Sequence, residues 1–131
     1  MTHTLSPVAH AAMLRAAAEA APREACGLLL GAGSHIAAAS LAANVHPQPL
    51  TRFEIDPAAL IAAHKAERGG GPQLLGYWHS HPNGLNRPST TDREQAAGDG
   101  RVWAIVAAGA VTLWADRAEG FVPLPYAVHD G

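Results

Sequence analysis

The apolar positions along the chain fall into short blocks, most of them bounded by proline or glycine. Ser6 followed by Pro7 reads as an N-cap with proline at the first helical position, and the alanine-rich segment behind it predicts a helix as far as Ala21, where Pro22 stops it. Cys26-Gly-Leu-Leu-Leu-Gly31 is an apolar run between glycines, the pattern of a buried strand, and Gly33-Ser34 turns the chain toward a second strand around Ile36 to Val45. His46-Pro-Gln-Pro49 reads as a loop and Arg52-Phe-Glu-Ile55 as a short strand. Asp56-Pro57 repeats the cap-plus-proline device. The helix it opens, Ala58 to Arg68, carries Leu60, Ile61 and His64 on neighbouring turns and ends at Gly69-Gly70-Gly71.

Gln73 to His81 then predicts a strand that runs into a polar loop, Pro82 to Pro88. Ser89-Thr-Thr-Asp92 has the form of a capping box opening a short helix to Ala97. Val102 to Ala108 and Val111 to Arg117 form a hairpin about Gly109-Ala110, and Phe121 to Val128 is a last strand weakened by Pro123 and Pro125. The order of elements favours an α/β domain whose mixed, partly antiparallel sheet carries helices on its faces.

Composition narrows the chemistry. At 131 residues, 48% apolar and 15% charged, the chain is expected to form one domain over residues 1–131, and a domain of that size buries roughly two-thirds of its unfolded surface. Eight His beside one Cys exclude an intrachain disulfide framework and Cys-rich zinc modules, but leave imidazole-based metal binding open. A net charge of -2 without any basic run argues against a nucleic-acid binder that works by neutralising phosphates. The longest apolar stretch, Val102 to Ala115, is 14 residues and falls short of the ~20 that span a bilayer. Arg15 and Glu19 interrupt the N-terminal alanines, so no signal peptide is read there and a cytoplasmic protein is expected.

The chemistry concentrates in Gly76-Tyr-Trp-His79-Ser-His81-Pro82. Positions i and i+2 of an extended strand face the same way, so the two imidazoles converge at one strand end. Asp92 follows in the first turn of the predicted short helix, where the loop can fold back and supply a carboxylate oxygen. Two nitrogens and one oxygen leave a fourth position to water, which separates a catalytic zinc site from a closed structural one. Taken alone, a His-x-His at a strand end is commonly incidental, and Asp92 is also explained as the N3 residue of its capping box.

The full run, His79-x-His81-Pro82 followed ten residues later by Asp92 with Ser89 three before it, resembles the motif of the JAMM or MPN+ metalloproteases. Pro22-Arg-Glu24-Ala-Cys-Gly-Leu-Leu-Leu-Gly31 is similar to that family's glutamate segment, and Phe53-Glu-Ile-Asp-Pro57 and Leu75 to Pro82 extend the likeness from Pro22 to about Ala108. The resemblance implies an MPN fold, cytidine-deaminase-like in architecture. It also implies one zinc ion per chain, held by His79, His81 and Asp92, with Glu24 polarising the bound water and Ser89 stabilising the tetrahedral intermediate. Sequence physics alone does not select Glu24, since Glu19, Glu54, Glu67, Glu94 and Glu119 compete for that role.

The implied substrate is a ubiquitin-like or sulfur-carrier protein, cleaved at an amide or isopeptide bond at its C-terminus. The chain lacks the long insertions that deubiquitinating relatives use to grip two ubiquitins, which favours a small-residue tail lying beside a strand edge. A noncatalytic MPN scaffold that binds partner proteins is the alternative, disfavoured because every motif residue is present. A metallo-β-lactamase-like reading fails because Asn83-Gly84 stand where Asp-His is required, and an amidohydrolase barrel needs about 200 residues or more. Cys26 is read as a small buried hydrophobe rather than a nucleophile or ligand. Trp78, Trp103 and Trp114 are expected in the core, with Tyr77 or Trp78 walling a groove, and Asn83, Gly84, Asn86 and Arg87 are read either as substrate contacts or as a plain turn.

Overall fold

The computed structural model describes residues 2–131. The elements run β1 (His3–Leu5), α1 (Pro7–Ala20), β2 (Cys26–Ala32), β3 (His35–Ala42), α2 (Pro57–Arg68), β4 (Gln73–Ser80), α3 (Thr90–Gln95), β5 (Val102–Ala107), β6 (Ala110–Arg117), β7 (Gly120–Leu124) and β8 (Tyr126–Val128). The strands form one mixed sheet in the order β7-β6-β5-β4-β2-β3-β1-β8. The β4–β5, β1–β3 and β1–β8 pairs are parallel and the others antiparallel.

Each face of the sheet has its own helix and its own core. The hydroxyl of Ser6 accepts from the N–H of Ala9 at 3.0 Å and caps α1. That helix buries Ala9 and Met13 against Leu5, Leu29, Ile36 and Trp78. Each large apolar side chain buried this way stabilises the fold by about 1.5–3 kcal/mol. On the opposite face, α2 is capped by Asp56 and lays Leu60 and Ala63 over Cys26, Leu28, Ile55 and Leu74. Strand β5 is buried at every position, as a central strand covered on both faces and paired in parallel must be.

Two glycines allow the strands around β4 to close. A Cβ on Gly76 would lie 1.7 Å from the carbonyl oxygen of Val102, and one on Gly27 would lie 2.4 Å from Nε1 of Trp78. The second vacancy admits the Trp78 indole, whose N–H donates to the carbonyl of Ser40 at 2.9 Å.

One irregularity in β4 decides which way its histidines face. Leu30 pairs with Leu74 but Leu29 pairs with Gly76, so Leu75 is skipped as a β-bulge. Leu74 packs with the α2-side core, whereas Trp78, four residues on, packs with the α1-side core. Without the bulge both would share a face. Beyond it, Tyr77 and His79 turn toward α2.

Several expectations are corrected. The strand predicted to Val45 stops at Ala42, and Arg52–Ile55 is no strand: only Ile55 pairs, in an isolated bridge with Asn44. The short helix ends at Gln95 rather than Ala97, because the carboxylate of Asp116 captures the N–H groups of Ala97 and Gly98, each at 3.1 Å. The last strand divides at Pro125 into β7 and β8, which lie at opposite edges of the sheet. The sheet therefore curls until its edges approach, and the Tyr126 hydroxyl donates to the carbonyl of Val111 on β6 at 2.5 Å. Trp78 and Trp103 are buried, but Trp114 is only half-buried. Strand β1, at three residues, is too short for its sequence to show a period. No helix among the described residues is long and apolar enough to cross a membrane.

Candidate metal centre

His79 lies near the end of β4, and His81 follows one residue past it, its N–H bonded to the carbonyl of Val106 at 2.9 Å. Pairing with β5 thus continues as far as the second histidine. The loop then turns at Gly84, which adopts a φ of 85° that glycine accommodates without strain. Its neighbour Leu85 offers a carbonyl to Nδ1 of His81 at 2.7 Å. At the start of α3 the predicted capping box is present. The Asp92 N–H donates to the Ser89 hydroxyl at 3.0 Å, and the Ser89 N–H donates to the Asp92 carboxylate at 2.9 Å. Asp92 therefore caps its helix with the same oxygen that it turns toward the histidines.

Three donor atoms converge there. Nε2 of His79 and Nε2 of His81 are 3.0 Å apart, and each is 3.1 Å from a carboxylate oxygen of Asp92. All three residues are buried. The bond from Nδ1 of His81 to a carbonyl places a proton on that nitrogen, so in the neutral ring Nε2 presents a lone pair. A lone pair, a second imidazole nitrogen and a carboxylate facing one another out of water require a cation between them or a shared proton. Tetrahedral zinc with bonds of ~2.0–2.1 Å holds its donors roughly 3.3 Å apart, so the cluster needs little adjustment to receive it. Among the described residues this is the group of His, Cys, Asp and Glu side chains that can hold a metal ion.

The electrostatics follow from the same contacts. Burial disfavours the charged form of Asp92, but hydrogen bonds from His79, His81 and Ser89 outweigh it and hold the carboxyl well below the usual range. Burial lowers the pKa of His79 despite the neighbouring carboxylate. His81 is penalised by burial too, yet its bonds to Asp92 and Leu85 raise it overall. Phe53 stacks on His79, with ring centroids 4.2 Å apart and planes 19° from parallel.

Glu24 stands two residues before β2 and is buried. Desolvation pushes its carboxyl up to about 7, with His81 opposing the rise and Asp92 adding to it. Its neighbour Ala25 is tied to β4 twice, by its N–H to the Ser80 hydroxyl at 2.8 Å and by its carbonyl to the Ser80 N–H at 3.0 Å. Glu24 and Asp92 line one cavity of about 300 Å³, walled by Phe53, Leu60, Tyr77 and Trp103. Glu24 also lines a larger one of about 660 Å³, between the end of α1 and Pro49.

Residues 6–118 match the Prok-JAB family, the prokaryotic homologs of the JAB domain. The chain belongs to this family. A Prok-JAB assignment agrees with the mixed sheet between helices and with the motif spacing. The chain is 36% identical over 86 residues to a protein of Haloferax volcanii named desampylase, covering 64% of this chain and 62% of that protein. It is 43% identical over 76 residues to the "Probable TtuB-protein conjugate cleaving protease" of Thermus thermophilus, covering 58% of this chain and 51% of that one. The match thus spans between about half and three-fifths of these relatives. A solution structure of a Desulfitobacterium hafniense protein superposes with a TM-score of 0.86 at 27% identity, covering 99% of this chain and 94% of that chain.

Within this Prok-JAB chain, His79, His81, Asp92, Ser89 and Glu24 come together at one end of β4. Cys26 stays apart: it is fully buried, its thiol near the carbonyls of Ala42 and Ala43 and pushed up to about 12 by burial and by Glu24. Tyr77 rather than Trp78 walls a cavity. Asn83 bonds to the Leu85 N–H at 3.0 Å within a turn, and the loop's contribution is the Leu85 carbonyl rather than a side chain. Sequence reasoning gave no role to Phe53, Ser80 or Asn44. Ser80 was accessible, since a residue between two same-face histidines must face the other way; Phe53 and Asn44 act through a segment whose path no periodicity reveals.

Proposed function

We propose that this protein is a zinc-dependent peptidase that hydrolyses an amide or isopeptide bond at the C-terminus of a ubiquitin-like or sulfur-carrier protein. The observation that carries the reading is the convergence of three buried donor atoms within a hydrogen-bond length of one another, beside a buried carboxylate of raised pKa. The names of the two relatives support the substrate class.

One zinc ion, held by His79, His81 and Asp92, would lower the pKa of a bound water to about 7 and polarise the scissile carbonyl. The protein's own groups supply the rest. Glu24, with a pKa of about 7 in its buried setting, accepts a proton from the attacking water and delivers it to the leaving amine. The Ser89 oxygen already accepts from the Asp92 N–H, which leaves its own O–H to donate to the oxyanion of the tetrahedral intermediate. Phe53, Leu60, Tyr77 and Trp103 give the cavity beside Glu24 an apolar side. A narrow tail ending in small residues suits the approach, because strand addition at a sheet edge holds it through its backbone without large side chains. In this reading residues 1–131 act as one domain, and the cytoplasm is the proposed setting.

The test is incubation with a ubiquitin-like carrier ending in Gly-Gly and joined through that end to a second protein. Release of the carrier with a free terminal carboxylate, abolished by a chelator and restored by zinc, is the expected result. Intact substrate with zinc-loaded protein, or cleavage indifferent to chelation, contradicts the reading.

A further inference from the structure

We propose that Asn44 is the positioning residue for Glu24, fixing the base at the metal centre through its backbone. The proposal rests on the reading of Glu24 as the base.

Asn44 follows the end of β3 and is half-buried. Its side-chain amide makes four hydrogen bonds, all to backbone. Nδ2 donates to the carbonyls of Glu24 and Arg52, each at 3.0 Å. Oδ1 accepts from the N–H groups of His46 at 3.1 Å and Glu54 at 3.0 Å. Two N–H donors and two lone pairs are all that a primary amide offers, so its capacity is filled. The network also fixes the amide's orientation, because a flipped group would set oxygen against two carbonyls and N–H against two donors.

Glu24 needs such a support. Sheet pairing begins at Cys26, and Ser80 extends it by one residue to Ala25. Beyond that point both backbone groups of Glu24 bond to the segment 44–55: its N–H donates to the Pro49 carbonyl at 2.7 Å, and its carbonyl accepts from Asn44. The same segment presses Phe53 onto the ring of His79. Asn44 thus joins the segment to itself, through Arg52, His46 and Glu54, and joins the whole to the base.

Asn44→Asp removes the bond to Glu24 while keeping two of the three bonds that tie the segment to itself. The carboxylate keeps the two acceptor bonds that shape the segment, but turns a second oxygen toward the carbonyls of Glu24 and Arg52. The experiment compares wild type, Asn44→Asp, Asn44→Ala, Glu24→Gln and the double variant Glu24→Gln/Asn44→Asp for kinetics on the carrier conjugate, zinc stoichiometry and residue-resolved amide exchange. For Asn44→Asp, kcat is expected to fall roughly tenfold to a hundredfold, with KM within about threefold of wild type and zinc stoichiometry unchanged. The Glu24 amide exchanges faster while those of Ala25 and Cys26 stay protected. The double variant turns over no more slowly than Glu24→Gln, as expected if Asn44 acts through the base.

A kcat for Asn44→Asp within twofold of wild type overturns the proposal, as does a rise in KM with loss of zinc, or a further loss in the double variant equal to that of the single change. Should the substituted proteins fail to fold, wild-type exchange decides: the Glu24 amide must open together with those of Val45 and Glu54, and opening together with Ala25 and Cys26 contradicts the proposal. If wild type leaves the conjugate intact, or Glu24→Gln matches it, the reading of Glu24 as base fails, while exchange in Asn44→Asp still decides whether Asn44 holds Glu24.

Discussion

His79 and His81 reach the metal centre from inside an eight-stranded sheet, whereas Glu24 reaches it from a segment that no strand holds. The proposed ligand side is built from regular elements: β4 paired on both edges, a Leu85 carbonyl that sets one tautomer, and a capping box that aims Asp92. The side of the proposed base is built from single hydrogen bonds, to Pro49 and to Asn44. Strand geometry recurs at fixed spacing and loop geometry does not. The proposed division of labour puts the metal ligands on the first and the base on the second.

The largest effect that sharpens this contrast is expected for His81→Ala. It removes one of three donors and the tautomer lock together, so metal stoichiometry measured on purified protein should fall to background and activity should follow. The fold should survive, because the His81 side chain belongs to neither hydrophobic core. Full metal retention would break the assignment of the ligand side. Phe53→Ala tests where the two sides touch. Loss of the stacked ring should lower stability by about 1 kcal/mol beyond its apolar burial, read from thermal melting, and raise KM through the widened cavity, read from steady-state kinetics. Cys26→Ala gives the smallest effect. A thiol pushed up to about 12 holds almost no thiolate at neutral pH, so the folded protein should resist alkylation and the variant should keep its activity. Its stability should drop by about 1–2 kcal/mol for the small void left behind.

The same division explains what was legible before the structure. Periodicity located both large helices and the strands that carry the core, and caps at Ser6, Asp56 and Ser89 placed the helix starts correctly. The His-x-His spacing identified a same-face pair, yet the bulge at Leu75 that selects the face leaves no mark in an apolar run. Arg52–Ile55 alternates like a strand, but its bonding is directed by a side chain, Asn44, and sequence pattern does not distinguish the two. Pro125 was visible as a weakness in the last strand. That it sends the chain from one edge of the sheet to the other depends on the curl of the whole sheet, which is a property of no local segment.

The central claim is that Glu24 moves protons while His79, His81 and Asp92 hold the metal, and metal content and turnover measured on the same preparations of wild type and Glu24→Gln test it most directly. The account predicts equal metal in both and a turnover roughly a hundredfold to ten-thousandfold lower in Glu24→Gln. Equal turnover, or wild type that binds no metal, would contradict it.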